Sequence, residues 1–342
     1  MRIAVKALNL KMRHVFAIAR GSVSVTGNAW VRVRYGALEG WGEAAPSRYY
    51  GQTQESVLKA LASFRPPPDA TPFDYEKILA LFAQKHPGQS SALAALDCAL
   101  HDLLGKKLGV PLWKLWGLDR DLVPQTSFTL GLAEPAELER KTLEAARYPI
   151  LKVKLGRPGD LELLRLVRRL APKKVLRVDA NGGWTVKEAI AKAKELERLE
   201  VEFLEQPIKA GDVGRLRRVK ERVGLPIFTD ESSVTAEDVP ALRWCADCIN
   251  IKLAKCGGLS AARRMIAVGR ACELKIMLGC MLESSLGIAA AAQLAPAADY
   301  LDLDGHLLLA ADPFEGLGLT QDCRLKLSLR PGLGIQRRLR KA

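Results

Sequence analysis

From about Thr126 onward, short apolar runs alternate with amphipathic stretches of helical length, one pair in roughly every 25 residues. The runs are Thr126–Leu130, Leu151–Leu155, Val175–Val178, Val201–Leu204, Pro226–Thr229, Cys248–Leu253, Lys275–Leu278 and Tyr300–Leu303. Between them Asp160 to Leu170 places Leu161, Leu164 and Val167 on one stripe, and Val186 to Leu199 does the same with Ile190, Ala193 and Leu196. Strands regularly separated by helices predict parallel βα units, and eight of them predict a closed (β/α)8-type barrel, a modified TIM barrel of the α/β class.

The earlier part of the chain has a different rhythm. Residues 1 to about 35 alternate apolar and polar positions, as in Trp30-Val31-Arg32-Val33-Arg34-Tyr35, and Gly36, Gly40 and Gly42 punctuate the turns after them. That pattern predicts an antiparallel meander. Gln54 to Phe64 and Ser90 to Leu104 read as helices on either side of the Pro66-Pro67-Pro68 break. The expected organisation is an α+β capping domain over residues 1–120, completed by about 311–342, with the catalytic barrel over 121–310. The strand-like Cys323–Leu329 fits no ninth βα unit and is expected to return to the first domain.

Composition changes this picture little. With 48% hydrophobic and 26% charged residues among 342, the chain has ordinary globular composition. The charged start and the absence of a long apolar run predict a cytoplasmic protein with no membrane partner. Seven cysteines in no framework spacing suit a reducing compartment. Cys245 and Cys248 form a C-x-x-C pair, but no second pair accompanies it, so buried thiols are expected. A net charge of +14 raises nucleic-acid binding. The basic residues are however spread along helices beside glutamates, and the one compact cluster, Arg337-Arg338 to Lys341, lacks interleaved aromatics, so no nucleic-acid partner is expected. A basic surface would favour encounter with small anionic substrates.

The candidate chemistry lies at the ends of the runs. Asp179-Ala180-Asn181, Glu205-Gln206-Pro207 and Asp230-Glu231-Ser232 each follow a strand, which puts Asp179, Glu205 and Asp230 on the barrel face that carries active sites. Three hard oxygen donors suit Mg²⁺, one per subunit. In Leu151-Lys152-Val153-Lys154-Leu155 the period of two turns both lysines to the same face. Lys252 ends the sixth strand, opposite Lys154 across the barrel. A base and an acid on opposite sides of a metal suit removal and return of a proton beside a carboxylate, provided the base has a depressed pKa.

These residues together resemble the enolase superfamily, in its muconate-lactonizing-type subgroup, whose use of a Lys or His base with Mg²⁺ is a known pattern. Glu283 in Met281-Leu282-Glu283-Ser284-Ser285 is similar to the subgroup's seventh-strand ending. Tyr300-Leu301-Asp302-Leu303-Asp304 resembles the dipeptide epimerases, where Asp302 and Asp304 would hold a dipeptide's ammonium group. The resemblance implies that Thr129, Cys280 and Leu282 line the substrate site. It also implies that Arg20, in a mobile capping loop, reads an acidic side chain, with L-Ala-D/L-Glu as substrate, while Met281, Leu282 and Ile18 would suit an apolar one. The implied activity is Mg²⁺-dependent epimerisation at the Cα of the C-terminal residue. Lys154 and Lys252 exchange the proton through an enediolate that Lys152 helps to hold, and a homo-oligomer is expected. The alternatives are o-succinylbenzoate synthase, muconate cycloisomerase or N-acylamino acid racemase, whose substrates carry no ammonium, and, from another class, a non-catalytic basic binding protein.

Overall fold

The computed structural model describes residues 1–338. Its N-terminal part opens on a three-stranded antiparallel sheet of β1 (Arg2–Ile18), β2 (Gly21–Tyr35) and β3 (Leu38–Ala44). The β1–β2 register slips between Lys11 and Phe16, which turns the far end of the hairpin out of line with the rest. Three helices cover the sheet: α1 (Gln54–Ser63), α2 (Tyr75–Lys85) and α3 (Ser90–Leu108). A reciprocal Thr53–Ser56 capping box starts α1. The sequence pattern missed α2, whose buried residues, Ile78, Leu79 and Phe82, span little more than one turn. Gly40 and Gly42 let β3 touch α3. A Cβ on Gly42 would overlap the carbonyl of Ala95 and lie 3.1 Å from the nitrogen of Ala99.

Eight parallel strands come next: β4 (Phe128–Leu130), β5 (Ile150–Lys154), β6 (Val175–Asp179), β7 (Val201–Glu205), β8 (Ile227–Thr229), β9 (Cys248–Ile251), β10 (Lys275–Gly279) and β11 (Tyr300–Asp302). They hydrogen-bond in sequence order from β4 to β11. A single bridge, Thr126 to Leu301, joins the two ends, supported by Leu303 N donating to Thr126 Oγ1 at 2.8 Å. The expected first strand is therefore shortened to Phe128–Leu130, with Thr126 serving as the closure point.

Alternation sorts the strand residues into two sets. One set, including Leu151, Val153, Leu176, Val178, Ile249, Ile251, Ile276 and Leu278, belongs to the continuous apolar core. The other set points into the barrel. Its lower layer is Phe203, Phe228, Cys248 and Met277 with Tyr300. Phe203 and Phe228 stack at 3.8 Å, and Arg177 crosses over Phe203 to donate to the carbonyl of Leu301 at 2.9 Å. Above this layer every inward position is polar or small. The apolar floor shuts water out from below and leaves the strand ends as the place for charge.

The last segment pairs Phe314–Glu315 with Gln336–Arg337, and Gly318–Leu319 with Leu325–Lys326. Only two residues of the expected Cys323–Leu329 strand are extended in a ladder. The segment contacts α3, through Leu333 N to Asp102 Oδ1 at 2.8 Å. The basic C-terminal cluster lies partly outside the described residues. Among the described residues, no helix is long and apolar enough to cross a membrane.

Candidate active site

The inward residues of the upper layer converge. Lys152 and Lys154 come from β5, Asp179 from β6, Glu205 from β7 and Asp302 from β11. Asp230 and Lys252 directly follow β8 and β9. Oxygens of Asp179, Glu205 and Asp230 lie within 4.8 Å of one another, all three residues buried. Glu205 Oε2 lies 2.6 Å from Lys152 Nζ yet receives no well-directed hydrogen bond. Three buried carboxylates whose oxygens converge, one of them Glu205 Oε2 without a directed donor, offer hard oxygen ligands that fit Mg²⁺.

Lys152 is fully buried, with Nζ 2.5 Å from Asp302, 2.6 Å from Glu205 and 3.4 Å from Asp179. Burial opposes its charge, but these carboxylates outweigh it and hold the ammonium well above the ordinary lysine range. Lys154 Nζ is 2.6 Å from Asp179, and Lys252 Nζ is 2.8 Å from Asp230. In the closed strand order β5 and β9 are diametrically opposed, so the two lysines face one cavity from opposite sides. The expected depression of a catalytic lysine's pKa is not seen at Lys252. Burial is the largest influence and pushes down, but Asp230, Glu205 and Glu231 together outweigh it and raise the value above the ordinary one. Asp230 is correspondingly held far below the carboxylate range, since Lys252 and Lys255 outweigh its burial. Glu205 is pushed up to about 7 by burial, against the pull of Lys152.

That cavity holds about 580 Å³ and lies between the barrel mouth and the N-terminal part. Thr129, Cys280, Leu282, Asp302, Asp304 and Arg20 all line it, with Phe16, Ile18, Tyr49, Tyr50 and Met281. Asp302 accepts from Ser127 Oγ at 2.6 Å and from Lys152, while Asp304 accepts from Thr129 N at 2.5 Å. Burial, then the charge of Asp302, pushes Asp304 up to about 6. Glu283 is not among the residues lining the cavity. It accepts from Met281 N at 2.8 Å, and a Cβ on Gly287 would strike its carboxylate.

Arg20 already has partners within the protein. Its guanidinium is not an unshared cation awaiting an acidic side chain, because Glu231 Oε1 stands 2.6 Å from Nη2 and the Asn181 carbonyl 2.7 Å from Nη1. Cys245 and Cys248 carry no disulfide, and both are buried.

Sequence reasoning passed over four supporting residues. Asn250 Nδ2 donates to Glu205 at 2.8 Å. Its position two before Lys252 was a legible signal, since both must face inward. Lys255 is fully buried and donates to Asp230 Oδ1 at 2.7 Å and to the carbonyls of Asn250 and Ser233. Gln206, at φ 37°, uses its side-chain oxygen to accept from Asp230 N and Ser232 N at 3.0 and 3.1 Å. Asn181, at φ 47°, donates through N and Nδ2 to both oxygens of Asp179. Nothing local to Lys255 or Gln206 announces these partners, which come from other strands.

A barrel with three carboxylates on consecutive strand ends and lysines on opposite walls defines a class, and comparison with known families agrees. Residues 134–341 match the family described as enolase C-terminal domain-like, and residues 2–117 match the mandelate racemase / muconate lactonizing enzyme N-terminal domain. The chain belongs to this family, and within it stands among the isomerases. It is 38% identical over 339 residues to an L-Ala-D/L-Glu epimerase of Bacteroides thetaiotaomicron, covering 98% of this chain and 88% of the relative. A hydrophobic dipeptide epimerase of a Flavobacteria bacterium is 36% identical, covering 98% of this chain and 97% of the relative. Among solved structures, the dipeptide epimerase of Enterococcus faecalis complexed with Mg and L-Leu-L-Tyr superposes with TM-score 0.90 at 32% identity, covering 98% of this chain and 99% of that one. The dipeptide epimerase of Cytophaga hutchinsonii complexed with Mg and D-Ala-L-Val gives 0.92 at 26% identity, covering 99% and 96%.

Proposed function

We propose that this protein is a Mg²⁺-dependent dipeptide epimerase that inverts the Cα of the C-terminal residue. The observation carrying this reading is the placement of Lys154 and Lys252 on opposite walls of one cavity, with the carboxylate triad between them and two aspartates at its far side. Residues 1–120, with 311–342, form the cap in this reading, and 121–310 the catalytic barrel.

Asp179, Glu205 and Asp230 hold the metal. When bound, Mg²⁺ supplies Lewis-acid stabilisation of negative charge on the substrate carboxylate and offsets the carboxylate field that raises Lys252. Lys152 stays protonated in its cage of carboxylates and stabilises the same developing charge. Lys154 takes or returns the Cα proton on one face and Lys252 on the other. Asp302 and Asp304 receive the ammonium group, Asp302 while also holding Lys152. Such a pair would repel or waste the anionic substrates of the synthase and cycloisomerase alternatives. Thr129, Cys280 and Leu282 form the walls. Phe16, Ile18, Met281 and Leu282 suit an apolar C-terminal side chain. L-Ala-D/L-Glu is the acidic substrate that the net charge of +14 would draw in.

The test is incubation of L-Ala-L-Glu and a panel of apolar dipeptides with enzyme and Mg²⁺ in D₂O, read by NMR. Deuterium enters Cα with inversion, and chelation abolishes it. Lys154→Met and Lys252→Met each lose inversion by about 10³-fold or more, while one of them still exchanges the Cα proton of a single epimer. Absence of Cα exchange in every dipeptide would sink the reading.

A further inference from the structure

The tip of the β1–β2 hairpin is fastened across the barrel mouth at successive strand ends. Leu132 N donates to the Ala17 carbonyl at 2.8 Å beyond β4, and Arg157 donates to the Ile18 carbonyl at 3.0 Å beyond β5. Ala19 packs over Gly156, where an added Cβ would stand 3.0 Å from its own. Arg20 then reaches past β6 and β8. It donates to the carbonyl of Asn181 at 2.7 Å and pairs with Glu231 at 2.6 Å, with its guanidinium 4.6 Å from the centre of the Tyr49 ring.

The partners of Arg20 are not incidental. Glu231 directly follows Asp230, and its side chain is only 2% exposed, with Oε2 finding no hydrogen bond in the protein. A carboxylate that deep is costly unless a cation stays beside it, and Arg20 supplies that cation from another part of the chain. Asn181, the second partner, holds both oxygens of Asp179. Withdrawal of the hairpin would strand Glu231 and leave the Asn181 carbonyl without its Arg20 donor.

We infer that Arg20 and Glu231 are a pair of positioning residues, a latch that closes the hairpin over the bound dipeptide, and that Arg20 does not read the substrate's side chain. This deepens the epimerase reading and rests on it only for its kinetic consequences. A latch acts on every dipeptide alike, because closure, water exclusion and the shape of the mouth do not depend on the side chain. A side-chain reader acts on acidic dipeptides alone.

The test uses the full chain and the variants Arg20→Met, Glu231→Gln and their double. Amide hydrogen exchange of peptides spanning residues 16–23 needs no substrate. Each single variant should speed exchange there by about tenfold or more, as expected for loss of one charge-assisted contact. The double should go no further than the singles, and exchange in β5 to β7 should stay at the wild-type rate, which excludes general unfolding. In turnover, Arg20→Met should lower kcat/KM for L-Ala-L-Glu and for an apolar dipeptide by similar factors. Unchanged hairpin exchange in both singles, additive effects in the double, or a loss confined to the acidic dipeptide would each overturn the inference. If no dipeptide is turned over, the exchange data still decide the latch, and only the epimerase reading falls.

Discussion

Most polar groups of the site are spoken for by a named partner, and the exceptions show where chemistry or strain resides. His306, beside the mouth in the Gly305–Leu308 turn, has a buried Nδ1 with no hydrogen-bond partner. Burial, against a weaker pull from Asp312, lowers its pKa to about 4 from an ordinary value near 6.5. Between those values the unfolded chain binds a proton that the folded chain refuses, so stability rises with pH across that window and is lost as the pH falls through it. The full difference is about 3 kcal/mol, of which about 2 kcal/mol is gone by pH 5. Urea midpoints of wild type and His306→Asn at pH 7.5 and pH 5 should therefore converge on acidification. A gap independent of pH would mean that the imidazole titrates normally in the fold. The lysines illustrate the opposite case. Period-two alternation sufficed to place Lys152 and Lys154 together, whereas the ammonium state of Lys152 follows from Asp302, Glu205 and Asp179, each on a different strand.

At the scale of elements, the eight strands were legible because each is a short run of apolar outward residues bounded by turn-forming residues. Their ends moved by at most two residues, at Thr126 and Leu253, and by one or none elsewhere. Helix α2 was not legible, since its short buried stripe comes after a proline-rich break and shows little periodicity. The glycines of β3 looked like turn punctuation. They instead admit α3 to the sheet, with a Cβ on Gly40 or Gly42 overlapping the backbone of Ala99 or Ala95 respectively. Gly42→Ala should then cost at least about 2 kcal/mol, as expected for forcing atoms into a packed helix–sheet contact. Denaturant unfolding measures this directly. A loss under half a kcal/mol would mean that α3 slides away at no cost.

For the whole molecule, the cavity exists only because the N-terminal part and the barrel are held face to face. Glu43 of β3 is one buried tie between them. It accepts from Asn28 Nδ2 at 2.8 Å, from Ser284 N at 3.1 Å and Gly287 N at 3.2 Å, and from the Ser284 hydroxyl. It therefore caps the helix Ser285–Ala292 from outside the barrel, where a negative charge meets free N–H groups. Glu43→Ala should cost about 3 kcal/mol, because several buried donors lose their acceptor at once. It should also split thermal unfolding by calorimetry into two transitions, as the N-terminal part loosens first. A single sharp transition at the wild-type temperature would show that apolar contacts alone hold the interface. The sequence by itself determined the barrel, the strand-end triad and the facing lysines, because those depend on local alternation and on the fixed order of parallel βα units. Only the tertiary structure decided that Arg20 is engaged by Glu231, that Lys255 and Gln206 brace Asp230, and that Glu43 reaches a helix 241 residues away. Those partners are brought together by closure of the barrel and docking of the cap, and pairing between distant charges leaves no periodic trace along a chain.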